Sequence, residues 1–133
     1  MSVYIDTSAF LAICNADDSR HEAAKRAWRG LIERRETIVT TNYTIVETAS
    51  LLHGRHGIPA LRYFVEDMLA MVMIEWISPE MHSVALSAVL SASGKQSPSL
   101  VDCAGFEAIR KGGIRDVFAY DKHFADRGFN LIG

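Results

Sequence analysis

The sequence has no apolar run long enough to cross a membrane, few cysteines and no excess of either charge. Its longest strongly apolar stretch, around residues 68–77, is interrupted by Glu75. The opening residues, MSVYID, lack the basic segment of a secretory signal. Two cysteines, Cys14 and Cys103, are too few for a disulfide framework and suit a reducing compartment. These absences predict a cytoplasmic protein with no membrane partner.

Several common catalytic motifs are also missing. The chain has no Gly-x-Ser-x-Gly elbow, which leaves a serine hydrolase unsupported. It has no Walker A segment and no Gly-x-Gly-x-x-Gly loop, so nucleotide binding by those routes is unsupported as well. A net charge of −2 gives no sign of nucleic-acid binding, and any function must come from where particular residues are placed.

What is present is an ordinary globular composition with alternating strand and helix patterns. A length of 133 residues with 49% apolar and 23% charged residues favours one domain, residues 1–133, with a real core. Short strands are predicted at 3–5, 37–40, 74–77, 116–120 and 130–132. Helices are predicted at 7–15, 19–35, 44–55, 59–72, 80–92 and 100–111, with a short turn or helix at 123–124. This alternation predicts an α/β fold, a three-layer α/β/α sandwich around a short parallel sheet of four or five strands.

Two predicted strands end in aspartate, which places carboxylates at one edge of the sheet. Asp6 follows the first strand, and Asp121 follows the strand at 116–120. Neighbouring strands would bring the two carboxylates to about 5 Å, and one intervening strand to about 10 Å. Ligands of open parallel sheets bind at this edge. Aspartate is also a common helix N-cap, and a helix is predicted after each residue, so a structural role is the alternative.

Asp102 and Glu47 are acids in the predicted first turns of helices. Asp102 lies in an apolar helix that predicts deep burial, and a buried carboxylate without a partner is costly. Its alternative role is a first-turn acid with Ser99 as the cap. For Glu47, Thr44-x-x-Glu47 is itself a capping-box pattern, and Ser19 with Glu22 forms another.

Taken together, Asp6, Glu47, Asp102 and Asp121 all fall where strands pass into helices, and those points share one rim of such a fold. Four converging carboxylates would repel one another by several kcal/mol. A divalent cation removes that repulsion, and all-oxygen ligands suit Mg²⁺ or Mn²⁺ rather than zinc. A carboxylate-held cation of this kind serves displacement at phosphorus.

The segments that carry these acids resemble the PIN-domain ribonucleases, especially the VapC-type toxins of prokaryotic toxin–antitoxin pairs. The matching segments, in order, are YIDTS at 4–8, HEAA at 21–24, TTNYTIVE at 40–47, SLVDC at 99–103 and YDKHF at 120–124 followed by Gly128-Phe129. Each segment alone is weak, and their order along essentially the whole chain is what makes the resemblance specific.

The resemblance implies a metal-dependent endoribonuclease. Asp6, Asp102 and Asp121 would hold Mg²⁺ or Mn²⁺, Glu47 would complete the catalytic acids, and Ser8 would support them by hydrogen bonding. The products would carry 5′-phosphate and 3′-hydroxyl ends. The implied partners are an RNA substrate, a second copy of the chain in a homodimer, and a small VapB-like antitoxin. The chain departs from the family at Ala119, where Thr or Ser is usual, so a supporting hydroxyl is missing.

Positive charge for an RNA backbone is concentrated in the predicted helix at 19–35. Possible contacts are Arg20, Lys25, Arg26, Arg29 and, after the last acid, Lys122, with Lys95 in the loop at 93–99 as a further candidate. A solvated helix face is the plain alternative for the helical group. His53-x-x-His56 fits a helix terminus better than a metal site, and His123 fits a structural role or a substrate contact.

Two other functions remain open. A catalytically weak PIN-fold module that binds RNA or protein is favoured by Ala119 and opposed by the retention of all four acids. A phosphatase or receiver-type acid cluster lacks its expected pattern, since Ser8 stands where a phosphatase would carry a second aspartate. The helix at 59–72, rich in methionine towards its end, is predicted to be core or a surface for a partner.

Overall fold

A computed structural model describes residues 1–92, 94 and 97–133 of the chain. Its five strands are all parallel and lie in the order β3-β2-β1-β4-β5. They span Ser2–Ile5 (β1), Thr37–Thr41 (β2), Met73–Glu75 (β3), Asp116–Phe118 (β4) and Asn130–Ile132 (β5). The predicted class and strand number are confirmed.

Seven α-helices within the described ranges connect these strands. They are Thr7–Cys14 (α1), His21–Glu33 (α2), Asn42–His56 (α3), Ile58–Tyr63 (α4), Pro79–Ser91 (α5), Leu100–Gly112 (α6) and Lys122–Asp126 (α7). After α4 the chain continues as a π-helical turn, Phe64–Met68, and a 3₁₀ turn, Leu69–Met71. Across the described part of the chain, no helix has both the length and the apolar character needed to span a bilayer.

Both faces of the sheet are covered, as a parallel sheet requires. Val3 and Ile5 of β1 point into one core, which contains side chains of α1 to α4. Tyr4, between them, points into the other core, which is built on α5, α6 and α7. This alternation on the central strand gives the α/β/α layering.

The pairing of the central strands determines where the chain passes the carboxyl edge of the sheet. β1 lies between β2 and β4, with Ile5 in register with Phe118. The backbone N–H of Asp6 donates to the carbonyl of Phe118 at 3.1 Å, so the two chains are still joined one residue beyond β1. β4 ends at Phe118, which corrects the predicted strand to residue 120 and places Asp121 in the connection to α7.

The starts of two helices also differ from the sequence prediction. α2 begins at His21, and its N-cap residue Arg20 makes no side-chain cap, so the capping box of Ser19 with Glu22 is wrong. α3 is capped by Thr41, whose hydroxyl accepts from the N–H of Thr44. The capping box of Thr44 with Glu47 is therefore also wrong, because α3 starts earlier than predicted and Glu47 falls in its second turn.

Candidate active site

Asp6 stands at the centre of the carboxyl edge and begins α1. Its side chain caps the helix: Oδ2 accepts from the backbone N–H of Ser8 at 3.2 Å and from the Ser8 hydroxyl at 2.8 Å. Only 3% of the residue is exposed. The sequence folds this way because an aspartate after a buried strand can satisfy the free N–H groups of the following helix.

Asp102 lies in the first turn of α6, and it is buried as the apolar helix predicted. The Ser99 hydroxyl accepts from the N–H of Asp102, and Asp102 Oδ2 accepts from the N–H of Ser99, each at 3.1 Å. This capping box is the structural role expected as the alternative for Asp102. It uses only one of the two carboxylate oxygens, so it leaves the other available.

Asp121 is the N-cap of α7, where its Oδ1 accepts from the N–H of His123 at 2.9 Å. Each of the three aspartates thus commits one oxygen to a helix start. Within the described residues, the second oxygen of each has no hydrogen-bond partner. Three carboxylates from separate segments therefore each retain one oxygen for a ligand.

These segments converge. One oxygen of Asp102, one of Asp121 and a ring nitrogen of His123 lie within 4.8 Å of one another, and this is the one such cluster of potential ligands in the described residues. Asp6 does not reach that spacing, and it is coupled to the cluster by charge. The pKa of Asp6 is raised to about 6, mainly by burial; the hydrogen bonds from Ser8 oppose this increase, and the negative charges of Asp102 and Asp121 contribute to it.

The pKa of Asp102 is also raised. Burial raises its pKa, the hydrogen bond from Ser99 opposes that effect, and the charge of Asp121 adds to the increase. A raised pKa means that the ionised form is disfavoured in this environment. The donor set fits a small divalent cation, because such an ion would compensate this charge and bind the three uncommitted oxygens.

Glu47 is half-buried in α3 and is not part of the close cluster. Its helix is nevertheless fixed against the end of β1. Thr44 bonds the Tyr4 hydroxyl at 3.0 Å, and the Thr48 hydroxyl donates to Thr7 at 3.1 Å. These bonds fix the helix that carries Glu47, but within the described residues no contact joins Glu47 to the three aspartates.

Comparison with known proteins identifies the family of the chain. The family model of the PIN domain matches residues 3–130. The chain belongs to the PIN-domain family. The resemblance drawn from the sequence is thereby confirmed.

One curated relative of this PIN domain is the 23S rRNA-specific endonuclease VapC20 of Mycobacterium tuberculosis, 30% identical over 128 residues that cover 96% of this chain and 95% of the relative. The crystal structure of VapC20, described as a toxin that cleaves the sarcin–ricin loop, superposes with a TM-score of 0.84 over the same shares of the two chains. FitAcB of Neisseria gonorrhoeae, at 10% identity and a TM-score of 0.70, covers 98% of this chain and 96% of its own, and shares the fold.

In this PIN domain Ser8 joins the two ends of the site. Its hydroxyl donates to Asp6 Oδ2 and accepts from the backbone N–H of Tyr120 at 2.9 Å. That second bond ties α1 to the segment just before Asp121. Ala119 is buried at 2% exposure and brings no hydroxyl to this region. The Ser8 bridge is thus the side-chain link observed between the Asp6 and Asp121 segments.

The predicted RNA contacts separate into two places. Arg20 lies with its guanidinium carbon 4.7 Å from the centre of the Tyr120 ring, and the charge of Arg26 also acts on that tyrosine. Lys25 and Arg29 line a different cavity with Trp28, Ile32 and Tyr63. Lys122 is exposed in α7 beside Asp121. Lys95 is outside the described residues.

His123 is the site residue that sequence reasoning did not assign to the metal. Its Nε2 lies 4.0 Å from Asp121 Oδ1, and its positive charge when protonated lowers the pKa of Asp102. The available signal was its place two residues after Asp121: the backbone N–H of that position closes the cap, which holds the residue beside the carboxylate. The donor set therefore contains one nitrogen besides the carboxylate oxygens.

Proposed function

We propose that the protein is a metal-dependent endoribonuclease, the toxin of a type II toxin–antitoxin pair, with Mg²⁺ or Mn²⁺ as its cofactor. One observation supports this proposal: Asp102 and Asp121 bring oxygens to within 4.8 Å, the charges of both act on Asp6, and among the described residues each of the three aspartates has one oxygen without a hydrogen-bond partner. Membership of the PIN-domain family and the 30% identity to a VapC20 endonuclease support the same reaction class.

Asp6, Asp102 and Asp121 would hold the cation, with Glu47 as the further catalytic acid, directly or through water. When bound, the ion would lower the pKa of a water molecule and neutralise charge that develops on the phosphate. Ser8 would keep the Asp6 carboxylate in place, and the N–H groups of Ser99 and His123 would do the same for the other two acids.

RNA would reach this edge along positive side chains. Arg20 and Arg26, on the side of Tyr120, and Lys122 are the contacts that stand nearest to the acidic segments, and Lys25 with Arg29 would extend the path across α2. Because the relative VapC20 is specific for 23S rRNA, ribosomal RNA is the first substrate to test. The same reading predicts products with 5′-phosphate and 3′-hydroxyl ends.

The partners we propose are a VapB-like antitoxin and a second copy of the chain, in the cytoplasm. Exposed apolar side chains on one stretch, including Val65, Met71, Met73 and Trp76, would suit such contacts, while Phe64 and Met68 of the same stretch are buried in the core. The solved relatives include VapBC2 of Rickettsia felis bound to a promoter DNA fragment, with a TM-score of 0.68 and 10% identity, covering 98% of this chain and 97% of that one.

The test is cleavage by the purified protein. Ribosomal RNA incubated with Mg²⁺ or Mn²⁺ is expected to give discrete new 5′-phosphate ends, and Asp102→Asn is expected to give none. Asp126→Asn, which removes an exposed carboxylate at the end of α7, is the matched control and should cleave like the wild type. Equal end patterns for the wild type and Asp102→Asn would refute the nuclease.

A second function, a catalytically weak module that binds RNA or protein, is favoured by Ala119, which lacks the hydroxyl usual at that position of the family. It predicts RNA binding without new ends. Calorimetry with Mn²⁺ separates the two, because the nuclease requires heat of binding that Asp6→Asn abolishes. Zn²⁺ belongs in the same titration, since His123 adds a nitrogen donor.

A further inference from the structure

A small cavity of about 190 Å³ lies beside the acidic site, between α1, α3 and the turn that leads into α2. Its walls include Ser8 of α1, Asp18 and Arg20 of the turn, and Arg55 and His56 of the last turn of α3. Three of these five side chains can donate hydrogen bonds from nitrogen. The cavity is therefore polar and rich in donors.

The cavity shares a side chain with the acidic site. Ser8 lines it and at the same time donates to Asp6 Oδ2 at 2.8 Å. Arg20, which also lines the cavity, lies over the ring of Tyr120, which directly precedes Asp121. A chain of phosphates crossing the acidic edge toward α1 and α3 would pass this opening next.

The charges in the cavity do not cancel. Asp18 accepts from the backbone N–H of Arg20 at 2.7 Å and from its Nε at 3.2 Å, so this pair is internally compensated and Arg20 is held in one orientation. Arg55 is exposed, and no hydrogen bond or ion pair involves it among the described residues. Arg55 is thus the surplus positive charge, beside the imidazole of His56.

A helix terminus alone does not account for this placement. Cations are favourable anywhere around the last turn of a helix, and His53, Arg55 and His56 all occupy that turn of α3. This effect of the helix end does not explain why Arg55 and His56 line the same cavity as Ser8 and Arg20. A ligand with negative charge gives a common reason for the four positions.

We propose that this cavity is a phosphate-binding subsite, in which Arg55 and Arg20 hold a backbone phosphate of RNA next to the one presented to the acidic cluster. The inference rests on the proposed nuclease function and adds the position of a second phosphate. Arginine suits the role because its planar guanidinium can donate two parallel hydrogen bonds to phosphate oxygens. Its charge would also offset the repulsion between the backbone and the nearby carboxylates.

The experiment measures RNA binding and cleavage separately. Binding of a short fluorescein-labelled single-stranded RNA is followed by anisotropy over a series of salt concentrations, in the Asp102→Asn background, which keeps the RNA intact. Arg55→Gln is expected to weaken binding about 10-fold and to reduce the slope of log affinity against log salt by about 0.7, the value for one phosphate contact in a single strand. Arg55→Lys should retain the slope and lose part of the affinity, because it keeps the charge without the paired donors.

Arg35→Gln is the matched control. Arg35 is exposed, forms no ion pair among the described residues, and precedes β2, at the edge of the sheet away from Asp6. If Arg55→Gln and Arg35→Gln have the same affinity and slope, the subsite is refuted. If the wild type cleaves no RNA, the nuclease fails by itself, while the difference between the two variants in salt slope still decides the subsite. In cleavage by otherwise wild-type protein, Arg55→Gln should raise KM more than it lowers kcat.

Discussion

Replacing Asp6 with asparagine is expected to stabilise the metal-free protein. The carboxylate is buried, and its pKa is raised from 3.8 to about 6 because the ionised form is poorly solvated. At 1.36 kcal/mol per pKa unit, ionisation of Asp6 at neutral pH costs the folded state about 3 kcal/mol. Asparagine keeps an oxygen that can accept from the N–H and hydroxyl of Ser8, so the cap on α1 survives while the charge is removed.

The sign of the pH dependence follows from the raised pKa. Between pH 4 and pH 6 the folded wild type holds a proton on Asp6 that the unfolded chain releases, so stability falls as the pH rises. Below about pH 4, Asp6 is protonated in both the folded and the unfolded wild type. Wild type and Asp6→Asn should therefore differ little in stability there. Above pH 6 the variant should be more stable by the full amount. Urea unfolding in EDTA, followed by circular dichroism at several pH values, measures the difference.

A cation should reverse the order. Magnesium at 1,000 times its dissociation constant would stabilise the wild type by about 4.1 kcal/mol, which exceeds the advantage of about 3 kcal/mol expected for Asp6→Asn, and would leave the variant unchanged. Asp17→Asn, at an exposed carboxylate, is the control and should shift neither curve. A variant that is less stable than the wild type in EDTA at neutral pH, or a difference that does not change with pH, would refute the reasoning.

Two further predictions concern the hydrogen bonds that support the site and the packing of α6 against β1. Ser8→Ala removes the bridge between Asp6 and Tyr120 and should lower metal affinity or cleavage by about 10–100-fold, with urea unfolding as the check that the fold is retained. Gly105→Ala would place a Cβ 2.7 Å from the Tyr4 hydroxyl and should cost about 1–3 kcal/mol in unfolding free energy. Tyr4→Phe removes the obstructing oxygen, so Gly105→Ala should cost less in that background; an equal cost in both backgrounds would contradict the proposed clash.

The alternation of apolar strands and amphipathic helices was enough to predict the parallel sheet, because each element must bury its own apolar face. The same rule predicted that Asp6 follows a buried strand at the sheet edge and that Asp102 is buried; the Ser99 cap, the alternative structural role of Asp102, is also present. These are local properties that a few consecutive letters reveal: a strand stops at an acid, and Ser99 is followed three residues later by Asp102, although the same pattern at Ser19 and at Thr44 formed no capping box.

The end of β4, the start of α3 and the position of His123 depend on structural context that the sequence pattern did not reveal. The run VFAY at 117–120 continues the apolar pattern of β4, yet pairing ends at Phe118, where its partner strand β1 also ends and turns into α1. α3 starts at Asn42 because Thr41 is available as a cap, and this moved Glu47 to the second turn. His123 approaches Asp102 only through the packing of α7 and α6, which no spacing along the chain reveals.

Each aspartate stabilises the start of a helix with one oxygen and leaves the other for a ligand, so the pocket forms together with the fold. A carboxylate that caps a helix is already oriented when that helix forms, so the proposed cation would bind without a separate rearrangement of these side chains. An alanine at any of these positions would damage architecture and chemistry together, whereas an asparagine would separate the two. In the proposed nuclease the site would be complete once the chain is folded and the cation is bound, so inhibition of the activity would have to come from a partner molecule.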